Sequence, residues 1–488
     1  MQKAAKLMIV MLLAAHVALL FLFVHKRFID GDEGFYLAAA REVASGNTPY
    51  LDYSYPQMPL LPYINSPVSD CGFDTLYYAR YMSILAAILT SCLMILLLRR
   101  QNGSDMSKVV SFMLYAFSGL ILAWHPTAKT YPWTNFLLIA GLYSAFRFAR
   151  SQGYAWALLS GIAFGLAANI RLTLLPLALL IMIFVVANAD KRRLRHLAVC
   201  LAGVIAASAL SISLFARDPQ SFLFNNIEFH LIRYPGISFW HAILERLLVL
   251  GKLAVNPQLI IIALLLAVSF LSLRRDQPTI TFKSVFRSRD QFIFLMLGLI
   301  LLIHILPNPI HQQYFTQVVP FAILLLPRGL DYLIAHRTRL FRPPSLFKIA
   351  SVIYVLGLIP YFAIFLGAVR ERDNSHRIEN VRALCDRIAS DDIEGPLYSE
   401  WPVIPVLSDR GAVGGLEFIA YDYGYPLTDA EKRYYHMPVS EDINEKLRNR
   451  IPSFCIVFDF PHPDLEVTME QNYEPVGSFD RYQLYRRK

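Results

Sequence analysis

Three carboxylates, Asp30, Asp32 and Glu33, lie side by side in the stretch DGDEGFYLAAAREVASG, directly after the first long apolar run of the chain. Clustered carboxylates can take a proton from a hydroxyl, hold a divalent cation or stabilise the start of a helix. The residues that follow supply a helix. Phe35, Leu37, Ala38, Ala39, Ala40, Val43 and Ala44 give it an apolar side, and Gly46 closes it. Such a helix is expected to lie in the membrane interface. It begins at Asp32 and Glu33, so the acids meet the positive end of its dipole. Helix stabilisation alone therefore explains the acids as well as catalysis does.

The next stretch shifts the balance. TPYLDYSYPQMPLLPY holds Pro49, Pro56, Pro59 and Pro62 among Tyr50, Tyr53, Tyr55 and Tyr63. The prolines stiffen the loop, and the tyrosines are expected to face the headgroup layer. A rigid loop holding carboxylates at a membrane surface suits acid–base chemistry on a lipid-linked substrate. Asp30-Gly31-Asp32 is also a literal DxD, the metal-holding motif of enzymes that use soluble nucleotide sugars. Those enzymes build an α/β nucleotide domain around it, whereas here it follows an apolar run. An EF-hand fails because Arg41 stands where its closing Glu belongs.

Composition fixes the setting. Of 488 residues, 55% are hydrophobic and 17% charged, with a mean hydropathy of +0.41. An ordinary soluble domain is far less apolar. About eleven apolar stretches recur, at 7–24, 78–98, 107–124, 131–146, 154–168, 172–188, 197–215, 256–273, 291–306, 314–330 and 346–367. The expected fold is a polytopic α-helical membrane protein, its first run uncleaved. The net charge of +9 does not point to nucleic acid. The basic residues cluster after every second stretch, at Arg99-Arg100, Arg147 and Arg150, Lys191 to Arg195, Arg274 to Arg289, and Arg328 to Arg342. They mark those connections as cytoplasmic. The loop 25–77, the segment 216–255 and everything after about 370 then face outward.

The chain thus divides into a membrane module, 1–369, and a tail, 370–488, expected to be a small α/β domain on the outer face. In the tail, RIENVRALCDRIA has the helical period, and PSFCIVFDF and VGSFDRYQLYRR read as strands. Cys92 and Cys200 fall in apolar stretches. A Cys385–Cys455 disulfide is the lesser alternative to free thiols.

The acidic pair beyond the first apolar run, the following aromatic, the interfacial helix, GNTPYLDY and the Pro-rich stretch together resemble the GT-C superfamily of membrane glycosyltransferases. The nearest groups are protein O-mannosyltransferases and the transferases that add aminoarabinose or galacturonic acid to lipid A. The resemblance implies a polyprenyl-phosphate-linked sugar donor and an acceptor hydroxyl on a lipid, a protein or a glycan. It implies Asp32 as general base, Glu33 as second acid, and a binding role for Asp52 with its neighbour Tyr53. It also implies a multi-pass bacterial inner-membrane protein, bathed in membrane lipids.

Such a transfer needs positive or hydrogen-bonding groups for the departing phosphate. Lys129 and Arg171 stand at outer helix ends, where snorkelling anchors are the commoner explanation. His311, Gln312, Gln313 and Tyr314 crowd another outer boundary, where an interfacial polar belt explains them equally well. His230 and Arg233 lie on the large loop. No cofactor is established by the sequence; a divalent metal is a minority alternative, and no spacing of His, Glu or Asp supports it. The competing function is a polytopic transporter or lipid-linked-sugar flippase, but charges at one boundary rather than the midplane, and no repeat, argue against it.

Overall fold

The computed structural model describes residues 2–233, 238–307, 309–336, 343–365, 375–418, 424–458, 463–479 and 481–488. The domain boundary expected at 369/370 lies outside them. Helix α1 (Lys3–Lys26) and the shorter α2 (Gly31–Ala44) carry the acidic stretch between them. As far as they are described, the eleven apolar stretches each fall on a helix or on two consecutive helical segments, and the end of the last, 366–367, lies outside the described residues. Six helices among the described residues are long and apolar enough to cross a membrane: Lys3–Lys26, Asp74–Leu98, Asp105–Trp124, Pro257–Asp276, Gln312–Ala335 and Lys348–Phe365. A seventh would be the pair Arg193–Ala207 and Ala209–Arg217, bent by 59°.

Small residues let these helices approach closely, as lipid-embedded bundles require. A Cβ on Gly161 would run into the Cys200 carbonyl, and one on Gly203 into that of Leu158. The helices Tyr154–Ile170 and Arg193–Ala207 therefore pack backbone to backbone.

The tail holds a sheet of four strands: β1 (Leu397–Ser399), β2 (Phe454–Val457), β3 (Tyr473–Phe479) and β4 (Tyr482–Arg487), in the order β1-β2-β4-β3. Only the β1–β2 pairing is parallel. The stretch expected as one strand from Val476 carries parts of two, because its alternation restarts at Tyr482. Helix Ile378–Ala389 follows its predicted period, with Ile378, Val381, Leu384, Cys385 and Ile388 all buried. Cys385 and Cys455 are buried, free thiols, so the disulfide alternative is not realised.

The tail does not keep its core to itself. Ile29, Leu37, Ala38, Leu76 and Ala79 from the acidic loop and the following helix share one apolar cluster with Ile378, Leu384, Trp401, Val403 and Leu484 of the tail. A Cβ on Gly34 would collide with the Val403 backbone. Helix α2 is thus clamped under the tail rather than laid on lipid, as the sequence suggested. The tyrosines likewise turn inward. Tyr50, Tyr53 and Tyr55 are buried, Tyr55 stacks on Phe35 and Tyr53 on Phe418. Tight aromatic packing on the tail outcompetes the headgroup layer for these rings.

Candidate active site

The acids are organised by a capping box. Asp30 is the N-cap of α2, its carboxylate accepting from the Asp32 N–H at 3.1 Å, while its own N–H donates to Glu33 Oε2 at 2.8 Å. Glu33 has no accessible surface. Arg80 grips it at two points, Nε to Oε1 at 2.8 Å and Nη2 to Oε2 at 2.6 Å, and the Ala128 N–H adds a third at 2.9 Å. Burial works to raise the Glu33 carboxyl, but Arg80 outweighs it and holds it below the usual carboxylate range. All its hydrogen bonds are internal, so Glu33 braces the loop.

Asp30 and Asp32 converge on one ammonium. Lys129 Nζ lies 2.7 Å from Asp30 Oδ1, 2.6 Å from Asp32 Oδ2 and 3.0 Å from Gln313 Oε1. Lys129 is buried beneath Trp124 and Tyr131. Burial alone would lower its ammonium, but the two aspartates outweigh it and raise it above the usual lysine value. Burial works to raise Asp30; Lys129 and Arg27 win and hold it well below the usual range. The two aspartates differ in access, with side chains 13% and 58% exposed. Asp32 alone offers an open carboxylate edge.

Around that edge the structure collects most of the residues singled out in the sequence. The Arg171 guanidinium lies 5.0 Å from the ring centres of both Tyr131 and Tyr314, and Nη1 donates to Thr130 Oγ1 at 3.3 Å. It has no acidic partner among the described residues. Tyr36 links the groups, being within electrostatic range of Asp32, Lys129 and Arg171. His311 packs edge-on to Tyr314 and lies within the electrostatic reach of Asp32, Lys129, Arg233 and Asp30. His230 is bound to the Pro56 backbone, with Arg233 and Arg171 near it; burial pushes it down to about 4.

Two candidates stand apart. Asp52 caps its own turn, accepting from the Thr48 N–H at 2.7 Å. It lies beyond the far end of α2, whose 14 residues span about 21 Å. Tyr53 donates to the Ala39 carbonyl at 3.3 Å and belongs to the aromatic packing. Gln312 opens the turn Gln312–Gln317 and makes no side-chain hydrogen bond among the described residues. No three His, Cys, Asp or Glu side chains among the described residues gather as a metal site. Asp30 and Asp32, the literal DxD, are bridged by an ammonium.

Sequence reasoning missed Arg80, Arg27, His376 and Trp401. Arg80 had a signal, since it sits inside an expected membrane stretch, where a charge demands a partner. His376 and Trp401 had none. Their rings stack at 4.2 Å. Trp401 Nε1 donates to the Gly31 carbonyl at 3.0 Å. The Ile29 N–H donates to the His376 carbonyl at 2.8 Å. The tail thereby fixes the backbone on either side of Asp30.

Residues 56–215 match the family described as dolichyl-phosphate-mannose-protein mannosyltransferase. No curated protein sequence matches the chain. Among solved structures, the fold matches ArnT from Cupriavidus metallidurans bound to undecaprenyl phosphate, with a TM-score of 0.64 and 14% identity over 98% of this chain and 97% of that one. It also matches the apo form of the Archaeoglobus fulgidus oligosaccharyltransferase, with a TM-score of 0.52 and 14% identity over 93% of this chain and 69% of that one. The chain thus resembles these membrane glycosyltransferases in fold.

Proposed function

We propose that this chain transfers a sugar from a polyprenyl-phosphate donor to a hydroxyl on a lipid, protein or glycan acceptor, with inversion, at the outer face of a bacterial inner membrane. The observation that carries this reading is the half-exposed carboxylate of Asp32 paired to Lys129, whose neighbouring Tyr131 ring is shared with Arg171, a cation without an acidic partner among the described residues. A base and an anion receptor are thus held at one site. The match to a structure bound to undecaprenyl phosphate supports the donor class.

In the reaction, the acceptor oxygen attacks the anomeric carbon and passes its proton to Asp32. The bond from that carbon to the phosphate oxygen breaks, and the phosphate leaves with the bonding pair. Attack from the side opposite the leaving group inverts the centre. Arg171, with His311 and the hydroxyls of Tyr131 and Tyr314 nearby, receives the growing phosphate charge. Lys129 keeps Asp32 aimed, and Glu33 holds the loop through Arg80. The alternating basic connections support a topology with the acid cluster and the tail, 370–488, outside and eleven crossings in 1–369.

Purified protein given a polyprenyl-phosphate sugar and an acceptor extract should form product without any nucleotide sugar. Transfer from a nucleotide sugar in the absence of a lipid carrier would overturn the reading.

A further inference from the structure

The end of the bundle remote from the acids holds a second site. Arg80 binds Glu33 near the start of helix Asp74–Leu98. Arg100 follows 20 residues later (100 − 80) just past the end of that helix, about 30 Å along the axis. There a cleft of about 580 Å³ opens, lined by four arginines, Arg100, Arg287, Arg289 and Arg328, and one carboxylate, Asp290. Asp290 is already taken, because Arg328 Nε binds it at 2.7 Å and Arg328 Nη1 binds Asp276 at 2.6 Å.

The other three arginines make no ion pair with a carboxylate among the described residues, and of the cleft's charges only Asp290 attracts Arg289. Arg100 lies over the Tyr143 ring at 5.2 Å and Arg289 over the Phe146 ring at 5.4 Å. Arg289 also donates to the Arg100 carbonyl at 3.1 Å, which draws the two chains together. Arg100 and Arg150 are the like charges acting on Arg289. Basic residues that merely set topology need only water around them. Here two of the four lie over rings, and all four line one cavity among charges of their own sign. A ring beneath a guanidinium restrains it while its remaining donors can meet a fork of oxygens.

We propose that this cleft binds a phosphate-bearing anion, either the headgroup of an anionic phospholipid or a soluble phosphate compound. Its volume suits a glycerophosphate-sized group, and basic pockets between helix ends are the usual seat of such headgroups. The site is independent of the sugar-transfer reading.

The test measures melting of the full-length protein in nanodiscs of phosphatidylcholine, with phosphatidylglycerol added at increasing mole fraction or with inorganic phosphate added to the buffer. Wild type is compared with Arg287→Gln, Arg289→Gln and the control Lys191→Gln, an exposed lysine outside the cleft. Stabilisation by phosphatidylglycerol should weaken about fivefold in apparent affinity per arginine removed and stay unchanged in the control. The same pattern with inorganic phosphate alone supports a soluble ligand. Equal loss in the Lys191→Gln control, or no stabilisation by either addition, overturns the proposal.

Discussion

Arg80 and Glu33 form a two-point ion pair with no accessible surface on either side chain. Its partners join the end of α1, the start of α2 and the Ala128 turn, so one carboxylate ties three segments together. Removing one member of a buried pair leaves an uncompensated charge and costs about 3–5 kcal/mol. Glu33→Gln should therefore lower the melting temperature markedly, with transfer lost through the fold. A normal melting curve with transfer abolished would instead make Glu33 a reacting group.

Asp30 gives a pH dependence. Its carboxyl is held well below its ordinary value, chiefly by Lys129 and Arg27 against the opposing effect of burial. A depressed carboxyl contributes stability that is complete above the unfolded value of about 3.9 and is lost as pH falls through the folded one. Melting followed from pH 7 to pH 3 should fall below about pH 4 in wild type. Asp30→Asn keeps a capping side chain, loses the ionic contribution, and should show a shallower acid slope. Identical slopes would contradict the assignment.

Trp401 tests the tail as a positioning element. Trp401→Phe can keep the stacking on His376 but loses the hydrogen bond to the Gly31 carbonyl. With the fold intact, kcat should fall by about tenfold through misplacement of Asp32, with KM for the donor little changed. An unchanged kcat would confine the tail to a structural role.

The acidic loop, the helical stretches and the cations were legible because each leaves a local mark: an apolar run, a Pro-rich pattern, a lone Lys or Arg at a helix end. In the fold Lys129 binds Asp32 and Gln313, Arg171 lies over Tyr314, and His311 packs on Tyr314. What stayed hidden depends on distant partners. Local spacing placed the start of α2 at Asp32, whereas the N-cap is Asp30, selected by its exchange of hydrogen bonds with Glu33. The inward turn of Tyr53 needs Phe418, and the fixing of Ile29 needs His376. Those partners lie more than 300 residues away in sequence (418 − 53 = 365; 376 − 29 = 347), and no periodicity encodes them. Asp52 fits the loop pattern well, yet its carboxylate closes a turn at the wrong end of α2.

The most direct measurement of the central claim is single-turnover sugar transfer by Asp32→Asn, beside its melting curve. Asp32 is neither the cap of α2 nor buried, and Asp30 and Gln313 still hold the Lys129 ammonium, so the variant should melt close to wild type. Its amide cannot take the acceptor proton, and the rate should fall by about 10²–10⁴, with donor binding retained through Arg171. Transfer at a near-normal rate by a stably folded Asp32→Asn protein would contradict the assignment of Asp32 as the base.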